Sequence, residues 1–279
     1  MHTLRPQSRV AVPVAGEEHG VLQLGASDSD QPHGISAYRA PRPSEGPMRA
    51  SLCPMSPLPT KIVPSVLPAD FLNLGRELDR LEQAGVDRIQ WDVMDGNFVP
   101  NLTFGPDVIA AARAACTVGF EAHLMVERPE RLLSRYVEAG CEMVIVHIET
   151  LVQAHATIME IHRLGARAGV ALSPATPLVT VQHLLDMLDM ILVMTVNPGF
   201  GGQAYLASME PKIAEARRMI EASGRPIELE VDGGIGPDTI AGAARAGADV
   251  FISGSALWRY KSLHEGVADL RARAEAAQA

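Results

Sequence analysis

The sequence predicts an α/β protein built as a single (β/α)8 barrel, and three observations carry that expectation. From residue 60 onward, short runs rich in Val, Ile and Leu alternate with segments of helical period, the pattern of strands paired in parallel. Eight such units of about 27 residues occupy about 220 residues, which is the count and spacing of a closed barrel. An open doubly wound sheet is the competing architecture, but it would carry an early G-x-G-x-x-G turn, which is absent. The expectation is therefore a TIM barrel over residues 59–279, preceded by an extension over residues 1–58.

That extension contains "SDSDQPHGISAYRAPRPSEGPMRAS", rich in Pro, Gly and Ser and without helical or alternating pattern, so it is expected to be poorly ordered. The first strand is "KIVPSV". The helix after it, "LNLGRELDRLEQAG", sets Leu72, Leu74, Leu78 and Leu81 near one face and stops at Gly85. "DRIQWDV" supplies the second strand. Further strands are expected at 118–124, 142–147, 166–172, 189–196, 227–231 and 249–253, with patterned helices between them. The second strand is unusual. Alternation sends Gln90, Asp92 and Met94 to one face and Trp91 and Val93 to the other. If both faces are enclosed, the amide and the carboxylate inside need partners.

Composition narrows the function classes. A 47% apolar fraction supports a large core, and a net charge of −9 argues against nucleic acid or an anionic membrane as partner. An anionic small molecule is still compatible, because backbone N–H groups bind phosphate without net positive charge. Three cysteines, with no C-x-x-C pair, suit a reduced, cytoplasmic protein. No apolar run approaches the length of a membrane-spanning helix.

In a barrel, chemistry gathers at the C-terminal ends of the strands. There the chain places Ser65 after strand 1, Gln90 and Asp92 on strand 2, His123 ending strand 3 and His147 ending strand 4. Asn197 follows strand 6, Asp232 follows strand 7 and Ser255 follows strand 8. Singly, a strand-end His is more often a satisfied core residue, and an Asp before two glycines is a common turn former. Two carboxylates and an imidazole aimed into one closed space are different, because a divalent cation compensates buried carboxylates and also does chemistry. Three glycine-rich turns, "NPGFGGQ", "VDGGIGPDT" and "SGSALW", follow strands 6, 7 and 8, where barrels often bind phosphate through backbone N–H groups.

Together "KIVPSVLPADF", "WDVMDGNFVPNLTFGP", "HLMVERP", "VHIE", "SPATPL", "MTVNPGFGGQ", "EVDGGI" and "SGSALW" resemble the ribulose-phosphate 3-epimerase family over residues 60 to about 260. The resemblance implies an isomerase that interconverts D-ribulose 5-phosphate and D-xylulose 5-phosphate through an enediolate. It implies Asp92 and Asp232 as the two acid/bases, with Asp92, His123 and Asp232 holding one divalent metal ion (Mn, Fe, Co, Zn or Mg). Ser65, His123 and Asp232 would contact the sugar, and Gly199, Phe200, Gly201, Gly202, Gly233, Gly234, Gly254 and Ser255 the substrate and its phosphate. Met94, Met125 and Met194 would cap the planar intermediate and exclude water, although methionine there is equally good core filler.

One position departs from the family pattern His-x-Asp-Val-Met-Asp-Gly: Gln90 stands where the first His supplies a metal ligand. A carboxamide oxygen is a hard donor, so the expectation is a weaker site that leans toward Mn2+ or Mg2+ rather than Zn2+. Pro68, where serine is usual, is expected only to stiffen a loop. Two alternatives stay open: a 3-epimerase of another ketose phosphate such as allulose 6-phosphate, or a phosphosugar-binding homologue with impaired metal binding. The partly apolar loop "MDGNFVPNLTFGP" suggests a homo-oligomer.

Overall fold

A computed structural model describes residues 58–279, so the expectation of a poorly ordered extension falls, apart from Leu58, outside the described residues. In chain order the elements are β1 (Lys61–Pro64), α1 (Leu74–Gln83), β2 (Ile89–Met94), α2 (Pro106–Arg113), β3 (Phe120–Met125), α3 (Leu133–Glu138), β4 (Cys141–His147), α4 (Ala154–Arg163), β5 (Arg167–Leu172), β6 (Met190–Met194), α5 (Glu210–Ser223), β7 (Glu228–Asp232), α6 (Ile240–Arg245), β8 (Val250–Ser253) and α7 (Leu263–Gln278). All strand pairs are parallel, in the order β1-β8-β7-β6-β5-β4-β3-β2. The remaining seam, between β1 and β2, is bridged at Ser65 and Gln90, with Val66 N donating to Gln90 O at 3.2 Å. The sheet is thus a nearly closed barrel wrapped by helices.

Two expectations are corrected. The crossover from β5 to β6 carries a 3-10 turn, Leu178–Val181, instead of an α-helix. Pro174 and Pro177 deny backbone donors at its start, and the β-branched run Val179-Thr180-Val181 disfavours continuation. Leu72 does not share the buried face of α1. Asp70 caps a separate 3-10 turn, Phe71–Asn73, which leaves Leu72 95% exposed while Leu78 and Leu81 are buried.

Strand alternation sorts side chains into two cores. Outward residues such as Trp91, Val93 and Phe120 pack with Leu78, Leu81 and Ile109 in the layer under the helices. Trp91 meets Phe120 and Phe104 edge-on, with ring centroids 5.1 and 5.3 Å apart. The inward side holds apolar residues from β4 to β6 (Met143, Ile145, Ala171, Met190 and Leu192) and from β1 and β8 (Val63, Val250 and Ile252).

Inward-facing polar residues from β2, β3 and β7 fill the rest of the barrel. Near the strands' N-terminal ends, Arg88 meets Glu121 at 2.5 Å, Glu228 at 2.9 Å and Glu230 at 3.4 Å. Lys61 adds a 2.6 Å contact to Glu228. Burial, and then the charge of Glu121, pushes the Glu230 carboxyl well above the usual range. Removing the cation from such a cluster leaves buried carboxylates uncompensated. Arg88→Met is therefore expected to destabilise the fold by about 3–5 kcal/mol, read as a lowered midpoint in urea unfolding.

Candidate active site

The site is built on the inward positions of β2, β3 and β7. Period-2 alternation places Gln90, Asp92 and Met94 inward, as the sequence predicts, and the register sets Asp92 beside His123. Asp92 Oδ2 accepts from Ser65 Oγ, and its Oδ1 accepts from Gln90 Nε2 at 2.8 Å and lies 3.0 Å from His123 Nδ1. Asp232, the last residue of β7, brings Oδ2 to 3.0 Å from Gln90 Nε2 and 3.4 Å from His123 Nδ1. Thr195 anchors that strand end, its backbone N–H donating to Asp232 O at 2.7 Å. His123 sits two residues short of the end of β3, deeper than a rim residue, and is fully buried.

One ligand atom from each of Asp92, His123 and Asp232 lies within 4.8 Å of the others, close enough for all three to share an ion. Two carboxylates and an imidazole nitrogen form a donor set suited to a divalent cation. Burial, together with the facing charge of Asp92, raises the Asp232 carboxyl above its ordinary value, against the pull of His123. Burial alone would lower His123, but hydrogen bonds to Asp232 and Asp92 outweigh it and raise the imidazole to about 9. The electrostatics thus mark a place that favours positive charge. Gln90 Oε1 is buried without a partner, a lone acceptor on the one amide that already reaches both carboxylates.

Above this cluster opens a cavity lined by Ser65, Asp92, Asp232 and the buried Met94, Met125 and Met194. Its rim brings together Gly199, Phe200, Gly201, Gly202, Gly233, Gly234, Gly254 and Ser255, while Gln90 and His123 lie beneath it. Asn197 is exposed and does not line it, and its backbone carbonyl accepts from Gln203 Nε2, which also donates to Phe200 O and pins the loop. The loop after β2 supports the same turn, because Asn101 Nδ2 donates to Gly199 O at 2.8 Å. Gly234 has φ +67°, and a Cβ there would lie 2.5 Å from Tyr205 N. Gly234→Ala is expected to push the two loops apart and raise KM for a phosphorylated substrate about tenfold, ~1.4 kcal/mol, in steady-state kinetics.

Sequence reasoning missed two features. Arg259, on the turn after Ser255, is the single basic side chain on the cavity wall among the described residues. Behind His123, the His147 Nε2 atom lies 2.9 Å from His123 Nε2, and His147 Nδ1 lies 3.1 Å from Glu149 Oε2. Burial lowers His147 to about 4. Burial would raise Glu149, but hydrogen bonds from His147, Thr176 and Ser173 N hold it down at about 2. "VHIE" and "SPATPL" contain these residues, yet a contact between side chains on neighbouring strands is not written in either segment.

A sequence model of the Ribulose-phosphate 3 epimerase family matches residues 61–258. The chain belongs to that family. Membership makes it an enzyme of the epimerase class. The ribulose-phosphate 3-epimerase of Bacillus subtilis (strain 168) is 41% identical over 212 residues, covering 76% of this chain and 98% of that protein. That of Rhodobacter capsulatus is 42% identical over 223 residues, covering 78% and 96%. Among solved structures, KGPDC from Streptococcus mutans superposes with a TM-score of 0.61 at 12% identity, over 79% of this chain and 99% of that one. That last likeness speaks for the barrel alone. No helix among the described residues of this epimerase-family chain is long and apolar enough to cross a membrane.

Proposed function

We propose that the protein epimerises C3 of a ketose phosphate, with D-ribulose 5-phosphate and D-xylulose 5-phosphate as the interconverted pair. The supporting observation is the meeting of Asp92, His123 and Asp232, from three separate strands, at the floor of a cavity rimmed by glycine turns. These three side chains would hold one divalent cation, with the Gln90 amide oxygen as a further donor. When bound, the cation supplies Lewis-acid stabilisation of the negative charge that develops on the sugar oxygens, worth several kcal/mol.

The residues divide the remaining work. Epimerisation removes a proton from one face of C3 and returns one to the opposite face, so two acid/bases serve better than one. Asp92, on β2, and Asp232, on β7, enter the mouth from different strands and take those roles. In either direction one of the two carboxyl groups holds a proton while the other accepts the one leaving C3. Ser65 Oγ is engaged with Asp92 and orients that carboxylate as well as lining the cavity. Met94, Met125 and Met194 exclude water from the planar enediolate. Backbone N–H groups of Gly201, Gly202, Gly254 and Ser255, together with Arg259, receive the phosphate, whose binding anchors C3 between the aspartates.

Proton NMR of D-ribulose 5-phosphate incubated with the full chain and Mn2+ tests this reading, with allulose 6-phosphate in a parallel sample. Growth of D-xylulose 5-phosphate resonances is expected. Turnover of the hexulose phosphate alone would replace the substrate, and turnover of neither would favour a phosphosugar-binding role. One observation supports that last reading: the Gln90 amide turns N–H toward both carboxylates, where a cation ligand would turn oxygen. A cytoplasmic homo-oligomer accompanies the proposal, with the 73% exposed Leu102 on the loop after β2 as part of its contact surface.

A further inference from the structure

The inward positions of β3 and β4 carry two histidines whose contact the epimerase reaction as outlined above does not use. His123 and His147 are fully buried, their rings lie nearly parallel with centroids 5.1 Å apart, and their Nε2 atoms are 2.9 Å apart. Phe98 packs on the His147 ring at 4.8 Å and closes that side. The other ring nitrogen of His147 faces Glu149 Oε2 at 3.1 Å. Glu149 is itself held in place: Ser173 N donates to its Oε1 at 2.8 Å, and Thr176 Oγ1 donates to the same atom.

Hydrogen-bond bookkeeping then leaves little freedom for the protons. Two imidazole nitrogens in contact need one N–H and one bare lone pair between them. A carboxylate accepts only, so the proton of His147 belongs on Nδ1, facing Glu149. That leaves His147 Nε2 bare, and the shared proton must reside on His123 Nε2. A cation that takes the place of the Nδ1 proton leaves His123 neutral with its proton on Nε2, and Nδ1, which faces Asp92 at 3.0 Å and Asp232 at 3.4 Å, becomes the coordinating atom.

We infer that His147 and Glu149 are positioning residues that hold His123 in the tautomer with Nδ1 free to bind a cation between Asp92 and Asp232. The inference rests on the metal-dependent reading of the site and deepens it. Such outer partners both fix the tautomer and raise the basicity of a ligand imidazole. Neither residue belongs to the Asp92, His123 and Asp232 cluster, and neither lines the cavity. The chain of contacts is continuous from the loop after β5, through Glu149 and His147, to the floor of the mouth. Glu149→Gln is the informative change, because an amide that donates to His147 Nδ1 would move the His147 proton to Nε2. His123 would then be protonated on Nδ1, where the cation belongs.

Two measurements on the full chain test this. In titrations that follow free Mn2+ by electron paramagnetic resonance, Glu149→Gln and His147→Leu are expected to bind Mn2+ about 10–100-fold more weakly than wild type. His147→Gln, whose carboxamide oxygen can accept from His123 Nε2–H, is expected to recover most of the loss. In 15N-labelled, Zn2+-loaded wild type, nuclear magnetic resonance is expected to find the proton of His123 on Nε2 and that of His147 on Nδ1. The resonance measurement needs no variant and stands even if one misfolds. Equal Mn2+ affinity in wild type, Glu149→Gln and His147→Leu, or a His147 proton on Nε2, would overturn the inference while leaving the metal site intact. A wild-type chain that takes up neither ion overturns the metal-dependent reading and this inference with it.

Discussion

Asp92→Asn and Asp232→Asn are each expected to slow epimerisation about a hundred- to ten-thousand-fold, the usual worth of one general acid/base. The two losses should differ in kind. In the proposed reaction each pentulose phosphate would present its C3 proton to one of the two carboxylates. With the opposite carboxylate gone, that proton can still leave and return on the same face. Each variant should therefore catalyse solvent exchange at C3 of one epimer without converting it, and the two variants should favour opposite epimers. Proton NMR in D2O reads exchange and conversion in the same sample. A single variant that abolishes exchange with both epimers, while the other leaves both unaffected, would mean that one group does all the proton transfer. Both aspartates contact Gln90 and His123, so their effects are expected to be non-additive in the double variant.

The second large effect concerns the cation. Stripping the protein with chelator is expected to lower kcat about a thousandfold or more, since Lewis-acid stabilisation is worth several kcal/mol and each 1.36 kcal/mol is tenfold. Mn2+ should restore activity better than Zn2+. The reason lies in Gln90, whose carboxamide offers a hard oxygen and whose nitrogen bridges Asp92 and Asp232 at 2.8 and 3.0 Å. Turning the oxygen toward an ion gives up both of those hydrogen bonds, so the site should be weaker than one with imidazole there. Gln90→His is expected to move the preference toward Zn2+ and increase the zinc retained through chelator-free purification, measured by elemental analysis. Equal and full zinc in wild type and Gln90→His would contradict this account of Gln90.

Much of the architecture could be read before any coordinates because the relevant signals are local. The alternation in "RIQWDVM" separates Trp91 and Val93 from Gln90, Asp92 and Met94, and burial of both faces follows from a barrel wrapped by helices. Asp92, His123 and Asp232 stand out because polar residues interrupt apolar strands toward their C-terminal ends. What escaped depends on distances between strands or on competition between local preferences. Leu72 fits the helical period, but the Asp70 cap begins a separate turn and exposes it. The Val and Leu residues after Pro177 suit a helix by period, whereas the prolines and β-branching decide for a 3-10 turn. The contact of His123 with His147 requires the β3–β4 register and two side-chain rotamers, neither of which a single segment encodes. The amide of Gln90 reaches across the barrel to Asp232, 142 residues away in sequence.

The most direct test of the central claim is deuterium uptake at C3 of D-ribulose 5-phosphate by the wild-type chain in D2O, measured as purified, after EDTA, and after Mn2+ is returned. Uptake that accompanies conversion to D-xylulose 5-phosphate, falls away with EDTA and returns with Mn2+ is the predicted result. Uptake and conversion that continue undiminished in the chelated protein would contradict the assignment of Asp92, His123 and Asp232 to a shared catalytic cation.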